Sequence, residues 1–504
     1  MARSTEEEIV FRMEGFVPRH RDPLAAVRGV IASTIAGLFF AVVTLTALGM
    51  GGNRDWVWAP VGVMIGVLSI VVAAGAVTRS GFEVIPAERK PLLAVVGCFL
   101  LFLLFALFQM STVAPLTASA VYYEAAARLL GQAHAPVPAL AVDAARNSLI
   151  KCLTCGAIFL AARAMCRDRA RARMLLYFFI GSGVVVFAYG LLMKVTTNSC
   201  YLGSYLKKVG VYAPGSDSCV MSGTFVNSNS FGCYCGMALV AAMAMLFAER
   251  RRAGPQPYGY GERDEDSWLA ALTMHRLVML AACLVMLGGL MFSASRGGVA
   301  ATVGTAGLLV LLMLRGLWRA RPDVARYTLI GLALFAVVVL GIAGNAIVNK
   351  AVSGGDSTAR IEIWTGCWRA IRASPWLGWG LGSYPDIYTI FQPENLTAPN
   401  DVAHSTPLEV MVELGIPMAL VAYAIVLIPL GVALLGTLNR SPAHRYLPAA
   451  AFAVVLVPVL HSMIDFSLQM PAIGFVVSAM LGMGWAQAFG RREAAEMPLR
   501  GEPA

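Results

Sequence analysis

Pro375-Trp376-Leu377-Gly378-Trp379-Gly380-Leu381-Gly382, with Arg360, Arg369, Arg372 and His404 around it, lies in the one long polar interval between strongly apolar segments, Asn349 to Ile416. Sequence on either side reads as membrane. The chain of 504 residues is 58% apolar and 13% charged, against about 25% charged in soluble domains. A membrane helix needs about 20 mostly apolar residues. Such segments recur near 29–50, 57–77, 91–110, 148–165, 174–193, 228–248, 277–295, 297–314, 327–347, 408–436, 447–464 and 471–489. The expected fold is an all-α polytopic membrane protein of about twelve transmembrane helices, with a large loop between the ninth and tenth. The chain divides into a leader (1–28), nine helices (29–347), the loop (348–407), three helices (408–489) and a tail (490–504). The first apolar run follows a polar leader and lacks a small-residue cleavage site, so it is expected to stay as an anchor.

If the N-terminus is cytoplasmic, more than two-thirds of the 39 Lys and Arg residues fall on that side. This positive-inside bias puts both termini in the cytoplasm and places 111–147, 194–227 and 349–407 on the outer face. It also accounts for the net charge of +10, so no nucleic-acid partner is expected. The cytoplasmic loops carry no G-x-x-x-x-G-K-[ST] phosphate loop, and chemistry is therefore expected outside. Cys152-x-x-Cys155 and Cys233-x-Cys235 fall in apolar segments and read as core thiols. Cys200 and Cys219 share a polar outer interval where an oxidising compartment permits a disulfide, a pairing the sequence leaves open.

Three places could carry chemistry. Phe292-Ser293-Ala294-Ser295-Arg296-Gly297-Gly298 is the only polar break between Arg276 and Arg315. A hairpin tipped by Gly297-Gly298 would set Arg296 at the outer membrane boundary. There the guanidinium either snorkels to lipid phosphates or presents a rigid fork to a diphosphate. In the second place, Arg360, Trp364 and Trp368 are spaced to share one helix face, broadened by Ile361, Cys367 and Ile371. Such a helix can lie flat on the bilayer. Arg360 is expected at its N-terminal end, where free amides add to anion binding, and Arg369 and Arg372 can bind anionic headgroups. In the third, Thr406-x-x-Glu409 reads as a capping box with Pro407 at the first helical position. His404 then stands just outside a helix N-terminus, where the dipole favours a neutral ring able to accept a proton. Asp465 and His461 read as neighbours at an outer turn, either binding acceptor or forming a structural pair.

Gly223-Thr224-Phe225-Val226-Asn227-Ser228-Asn229, Ser295-Arg296-Gly297-Gly298, Arg360 with Trp364, Pro375-x-x-Gly378-x-Gly380, and His404 leading to Leu408-Glu409 and Glu413-Leu414-Gly415-Ile416 occur in this order. In order, spacing and sidedness they resemble the O-antigen ligase and O-antigen polymerase family, with weaker likeness from His461 to Pro471. The resemblance implies a metal-independent, cofactor-free, inverting glycosyltransferase of the bacterial inner membrane, active at the periplasmic face in lipopolysaccharide or exopolysaccharide biosynthesis. Its partners would be an undecaprenyl-diphosphate-linked glycan donor, a glycan or lipid A core acceptor, and membrane lipids. By that likeness Arg296 and Arg360 hold the diphosphate and His404 is the base. Asn227, Asn229, Trp364, Arg369, Arg372 and Asp465 are expected to contact substrate. The family often has Asn after the His; here Ser405 follows His404, which leaves the orienting partner of the ring open.

Outside the cytoplasm there is no pool of nucleotide sugars, so a transferase there needs a preactivated lipid donor. Two guanidiniums can then offset the charge that develops on a departing diphosphate. Ligase and polymerase share this chemistry. A lipid-linked sugar transporter or flippase would instead need ionisable groups near the bilayer midplane, whereas Lys151, Glu409, Glu413 and Asp465 lie toward the expected span ends. A structural scaffold is the third reading, and it predicts no phenotype from loss of Arg296, Arg360 or His404.

Overall fold

Long apolar runs give backbone N–H and C=O groups no partner in a bilayer except along their own helix. The computed structural model meets that constraint with helices, and among the described residues there is no strand. It describes residues 23–77, 84–112, 118–131, 137–197, 220–248, 273–315, 355–394 and 400–489, with short pieces between 322 and 334. The helices are α1 (Pro23–Leu45), α2 (Asp55–Val77), α3 (Pro86–Gln109), α4 (Ala120–Leu130), α5 (Val142–Met165), α6 (Arg169–Thr197) and α7 (Ser228–Leu246). There follow α8 (Met274–Phe292), α9 (Arg296–Leu314), α10 (Gly355–Ala373), α11 (Tyr384–Phe391), α12 (Thr406–Asn439), α13 (Tyr446–His461) and α14 (Pro471–Ala488). Ten of these are long and apolar enough to cross a membrane, and α13 is a shorter apolar helix. Together they coincide with eleven of the expected spans. The ninth, 327–347, falls largely outside the described residues, as do Cys200 and Cys219. Leu314 and Arg360, which flank that expected span, lie at opposite ends of the bundle.

The core forms around α7 and α14, whose apolar stretches are 83% and 89% buried within the protein, against 17% for α2 and α3. Close approach depends on small residues, as expected where lipid removes most of the hydrophobic drive between helices. Gly236 of α7 abuts Thr302 of α9, Gly482 of α14 abuts the Phe159 carbonyl of α5, and Gly436 of α12 abuts Ala488. Cys233 and Cys235 are buried in this core and, like Cys152 and Cys155, carry free thiols.

The loops assigned to one side by charge do meet at one end. There Thr224 Oγ1 donates to the Ala47 carbonyl at 2.6 Å, Leu140 N to the Trp379 carbonyl at 3.0 Å, and Thr406 N to the Ser462 carbonyl at 3.0 Å. At the opposite end Glu88, 1% exposed, accepts from Arg163 Nη2 and Arg167 Nη2, both at 2.7 Å, and from Trp485 Nε1 at 2.9 Å. This cluster ties α3, α5 and α14 together.

Helix α12 is broken. Gly415 takes φ +74° and ψ 166° inside it, and Pro417 lacks the N–H that would close on the Glu413 carbonyl. The freed carbonyls must find other donors. Trp379 N reaches Val412 O at 3.1 Å, Gly380 N reaches Glu413 O at 2.9 Å, and Gln109 Nε2 reaches Glu413 O at 2.9 Å. Ile416 N turns to Pro375 O at 2.8 Å. The Pro375–Gly382 phrase is thus a plug for the break, and its glycines 378, 380 and 382 all carry positive φ.

Three local expectations need correction. The hairpin tip is Ser293-Ala294-Ser295, with Ala294 at φ +49°; Gly297 and Gly298 already belong to α9, whose N-cap Ser295 accepts from Gly298 N at 3.1 Å. Helix α12 is capped at Ser405, one residue earlier than expected, and Glu409 bonds Ala403 N instead of closing a capping box. Helix α10 begins at Gly355, so Arg360 is its sixth residue, beyond the first-turn amides.

Replacing Glu88 by Ala strands Arg163, itself 2% exposed, without its carboxylate. A loss of about 3 to 5 kcal/mol is expected, read as a lower thermal midpoint in detergent, with a smaller loss for Glu88→Gln.

Candidate active site

A buried carboxylate needs donors around it, and Asp465, 1% exposed, gathers them from distant parts of the chain. Asn229 Nδ2 donates to its Oδ2 at 2.7 Å, and Phe466 N to its Oδ1 at 2.7 Å. Arg360 Nη2 stands 3.8 Å from Oδ2 while its Nη1 donates to the Ile464 carbonyl at 2.8 Å. His404 Nδ1 faces Oδ1 at 3.9 Å, with its ring edge against Phe466 at 5.4 Å between centroids. The turn after α13 therefore joins α7, α10 and the entry to α12.

Arg296 reaches the same turn through its neighbour. A Cβ on Gly297 would meet Ile464 Cδ1 at 2.8 Å and His461 Cδ2 at 2.9 Å. The start of α9 thus lies against the residue whose carbonyl holds Arg360. Arg296 itself is part-buried at the first position of α9. His461 pairs with Ser467, Nδ1 to Oγ at 2.9 Å, and not with Asp465 as its sequence neighbourhood had suggested.

His404 holds φ +48°, a left-handed conformation that non-glycine residues rarely adopt. Strain of this kind persists only where the surroundings fix it. The Ala403 N–H donates to Glu409 Oε2 at 2.9 Å, and the Ala403 carbonyl accepts from Trp364 Nε1 at 3.0 Å. Thr406 N is taken by Ser462 O, and also approaches Asp465 O at 3.3 Å. The imidazole is held between two tied residues.

The other expected substrate residues divide. Asn227 caps α7, its Oδ1 accepting from Asn229 N and Ser230 N, and Asn229 holds Asp465; both build the site's scaffold. Trp364 holds Ala403. Arg369 and Arg372 are exposed and stand nine and twelve residues beyond Arg360, about 14 and 18 Å along a helix, away from the cluster. The expected face of α10 is also turned. Ile363, Cys367, Ala370 and Ile371 are buried against Tyr384, Tyr388 and Trp379, while Ile361 is 62% and Trp368 46% exposed. Burial pushes the Cys367 thiol up to about 12, so it stays protonated at neutral pH and is no nucleophile. Among the described residues no three His, Cys, Asp or Glu side chains gather as a metal-ligand set.

Sequence reasoning missed Glu409 and Gln109 as supports. Gln109 donates to the Leu377 carbonyl at 2.6 Å and accepts from Leu381 N at 3.2 Å. A lone amide ending an apolar span was the available signal. The Lys151 ammonium was expected near a span end, but it lies ten residues into the 24-residue α5, 4.8 Å above the Trp58 ring and outside this cluster.

Residues 281–423 match the family described as O-antigen ligase. The matched segment contains Arg296, Arg360 and His404, and the family resemblance read from the motifs is borne out there. No curated protein matches the chain.

Glu409→Ala leaves the Ala403 N–H without its acceptor, and a loss of about 1 to 3 kcal/mol in local stability is expected. Amide exchange across residues 400–405 should accelerate in the Ala variant and much less in Glu409→Gln, which keeps an acceptor oxygen. Equal exchange in all three proteins would remove Glu409 from this role.

Proposed function

We propose, with the O-antigen ligase match as premise, that this membrane protein is a ligase-like inverting glycosyltransferase. It moves a glycan from an undecaprenyl-diphosphate carrier to an acceptor hydroxyl, at the periplasmic face of a bacterial inner membrane. The lipid A core is the acceptor in this reading; a repeat-unit polymerase would use the same donor chemistry on a second lipid-linked glycan. The observation that carries it is the meeting of Arg360, His404 and the Arg296-Gly297 helix start at the single turn Ile464-Asp465.

In the reaction the acceptor oxygen attacks the anomeric carbon from the side opposite the diphosphate. The new glycosidic bond forms as the bond to the diphosphate oxygen breaks, and undecaprenyl diphosphate departs with the electron pair. His404 takes the hydroxyl proton on Nε2. Asp465, facing Nδ1 at 3.9 Å, holds the ring's orientation and offsets the charge it acquires. Catalytic contacts of this length tighten when substrate binds. Arg296 and Arg360 stabilise the negative charge growing on the leaving group. The site's ionisable residues cluster at one end of the bundle, which favours this reading over proton-coupled transport.

Arg296→Ala, Arg360→Ala and His404→Ala should each lower transfer by about a hundredfold or more, with membrane protein levels unchanged. The assay supplies purified protein with a defined prenyl-diphosphate glycan in the presence of EDTA and measures transferred glycan. Full activity in any two variants would refute the site, and loss of transfer on adding EDTA would refute metal independence. Asp465→Asn should lower kcat more than it alters donor KM.

A further inference from the structure

Both ends of α10 are pinned to the ends of apolar helices. At one end Arg360 bonds the Ile464 carbonyl, three residues past α13. At the other, Pro375 O accepts from Ile416 N, and Leu377 O accepts from Gln109, the last residue of α3. From Ile416 to Asn439 the chain continues helical for 24 residues, the same length as α3, and each can span the hydrocarbon core of about 30 Å. Gln109, Ile416 and Trp376 therefore lie together at the membrane boundary, and α10 runs along the surface of the bilayer.

Its outward face has the chemistry of that boundary. Trp368 is 46% and Trp376 73% exposed, with Arg369 and Arg372 exposed between them. Trp376 packs its backbone on the α12 break, 2.6 Å from where a Gly415 Cβ would stand. Ile416, whose N–H bonds Pro375 O, and Leu420 one turn further along α12 are 40% and 62% exposed. Indoles favour the headgroup level, and guanidiniums bind phosphate oxygens in a two-pronged fork. The opposite face of α10 is buried by Ile363, Cys367 and Ile371, so the polar and aromatic face has no protein partner among the described residues.

We propose that Trp368, Arg369, Arg372 and Trp376 form a seat for the phosphate headgroups of anionic phospholipids, holding α10 against the outer leaflet. The seat lies apart from Arg360 and His404 and does not depend on the transfer reaction. Full-length protein is reconstituted in phosphatidylcholine vesicles containing one lipid in ten brominated on its acyl chains, either phosphatidylglycerol or phosphatidylcholine. The Trp376 signal is the fluorescence difference between wild type and Trp376→Phe. Local enrichment predicts quenching by brominated phosphatidylglycerol at least about threefold above that by brominated phosphatidylcholine, falling to parity in Arg369→Gln/Arg372→Gln and at high salt. Equal quenching by the two lipids in wild type, or a preference that survives the double substitution, overturns the proposal. So does the double variant losing affinity for a prenyl-diphosphate glycan while its phosphatidylglycerol preference persists, because the arginines would then belong to the donor site.

Discussion

A carboxylate removed from water must be surrounded by donors, and Asp465 is the point at which this protein meets that demand. Its side-chain oxygens accept hydrogen bonds from Asn229 Nδ2 and Phe466 N, and its backbone carbonyl accepts from Thr406. Removing the side-chain oxygens would cost more than one interaction, because Asn229 Nδ2 and Phe466 N would each lose an acceptor. The contacts are non-local: Asn229 lies 236 residues from Asp465 in sequence, and Arg360 lies 104 from Ile464. The cluster therefore exists only once the helices have packed.

The second constraint is the break in α12. An unbroken helix of 34 residues would be about 51 Å long, well beyond what a bilayer core requires. Gly415 and Pro417 divide it into a crossing part and a short part that runs from the break to Ser405. The carbonyls released at the break recruit the Pro375–Gly382 plug, and the plug fixes the C-terminal end of α10. The same device thus sets the direction of α10, and with it where Arg360 can reach. Non-helical backbone at the membrane boundary is tolerated because its polar groups find partners within the protein; Trp379 is 1% exposed and its Nε1 donates to the Ala370 carbonyl at 2.9 Å.

The helices were legible because membrane insertion reads length and hydropathy, both of which are local in sequence. Arg360 and His404 were singled out as a cation and an imidazole in a polar interval, and the structure brings both to one carboxylate. What was not legible depended on packing. The periodicity of α10 suggested one apolar face, Trp364 and Trp368 broadened by Ile361, Cys367 and Ile371, whereas contact with Tyr384 and Tyr388 buries the face containing Ile363 and Ala370. Glu409 looked like a cap three residues into a helix; Ser405 took the cap position and freed the carboxylate for Ala403 N. Asn227 and Asn229 were expected to contact substrate because they belong to the Gly223–Asn229 motif of the family resemblance. Their partners, two backbone amides and a carboxylate 236 residues away, are visible only in three dimensions.

The spacing around Asp465 also bears on how an anion could enter. Arg360 Nη2 lies 3.8 Å from the carboxylate, beyond hydrogen-bond distance, while Nη1 is committed to a neutral carbonyl. The guanidinium is thus held in place chiefly by a backbone oxygen and is not neutralised by a close carboxylate fork. In the proposed reaction a phosphate would gain a charge-assisted pair with Arg360 without first breaking a short one. The backbone of Gly297 presses on His461 and Ile464, which leaves no room for a side chain at that position. A larger residue there would push the α9 start, and Arg296 with it, away from the turn. Smallness at residue 297 thus sets how closely the α9 start can lie to Ile464, whose carbonyl holds Arg360.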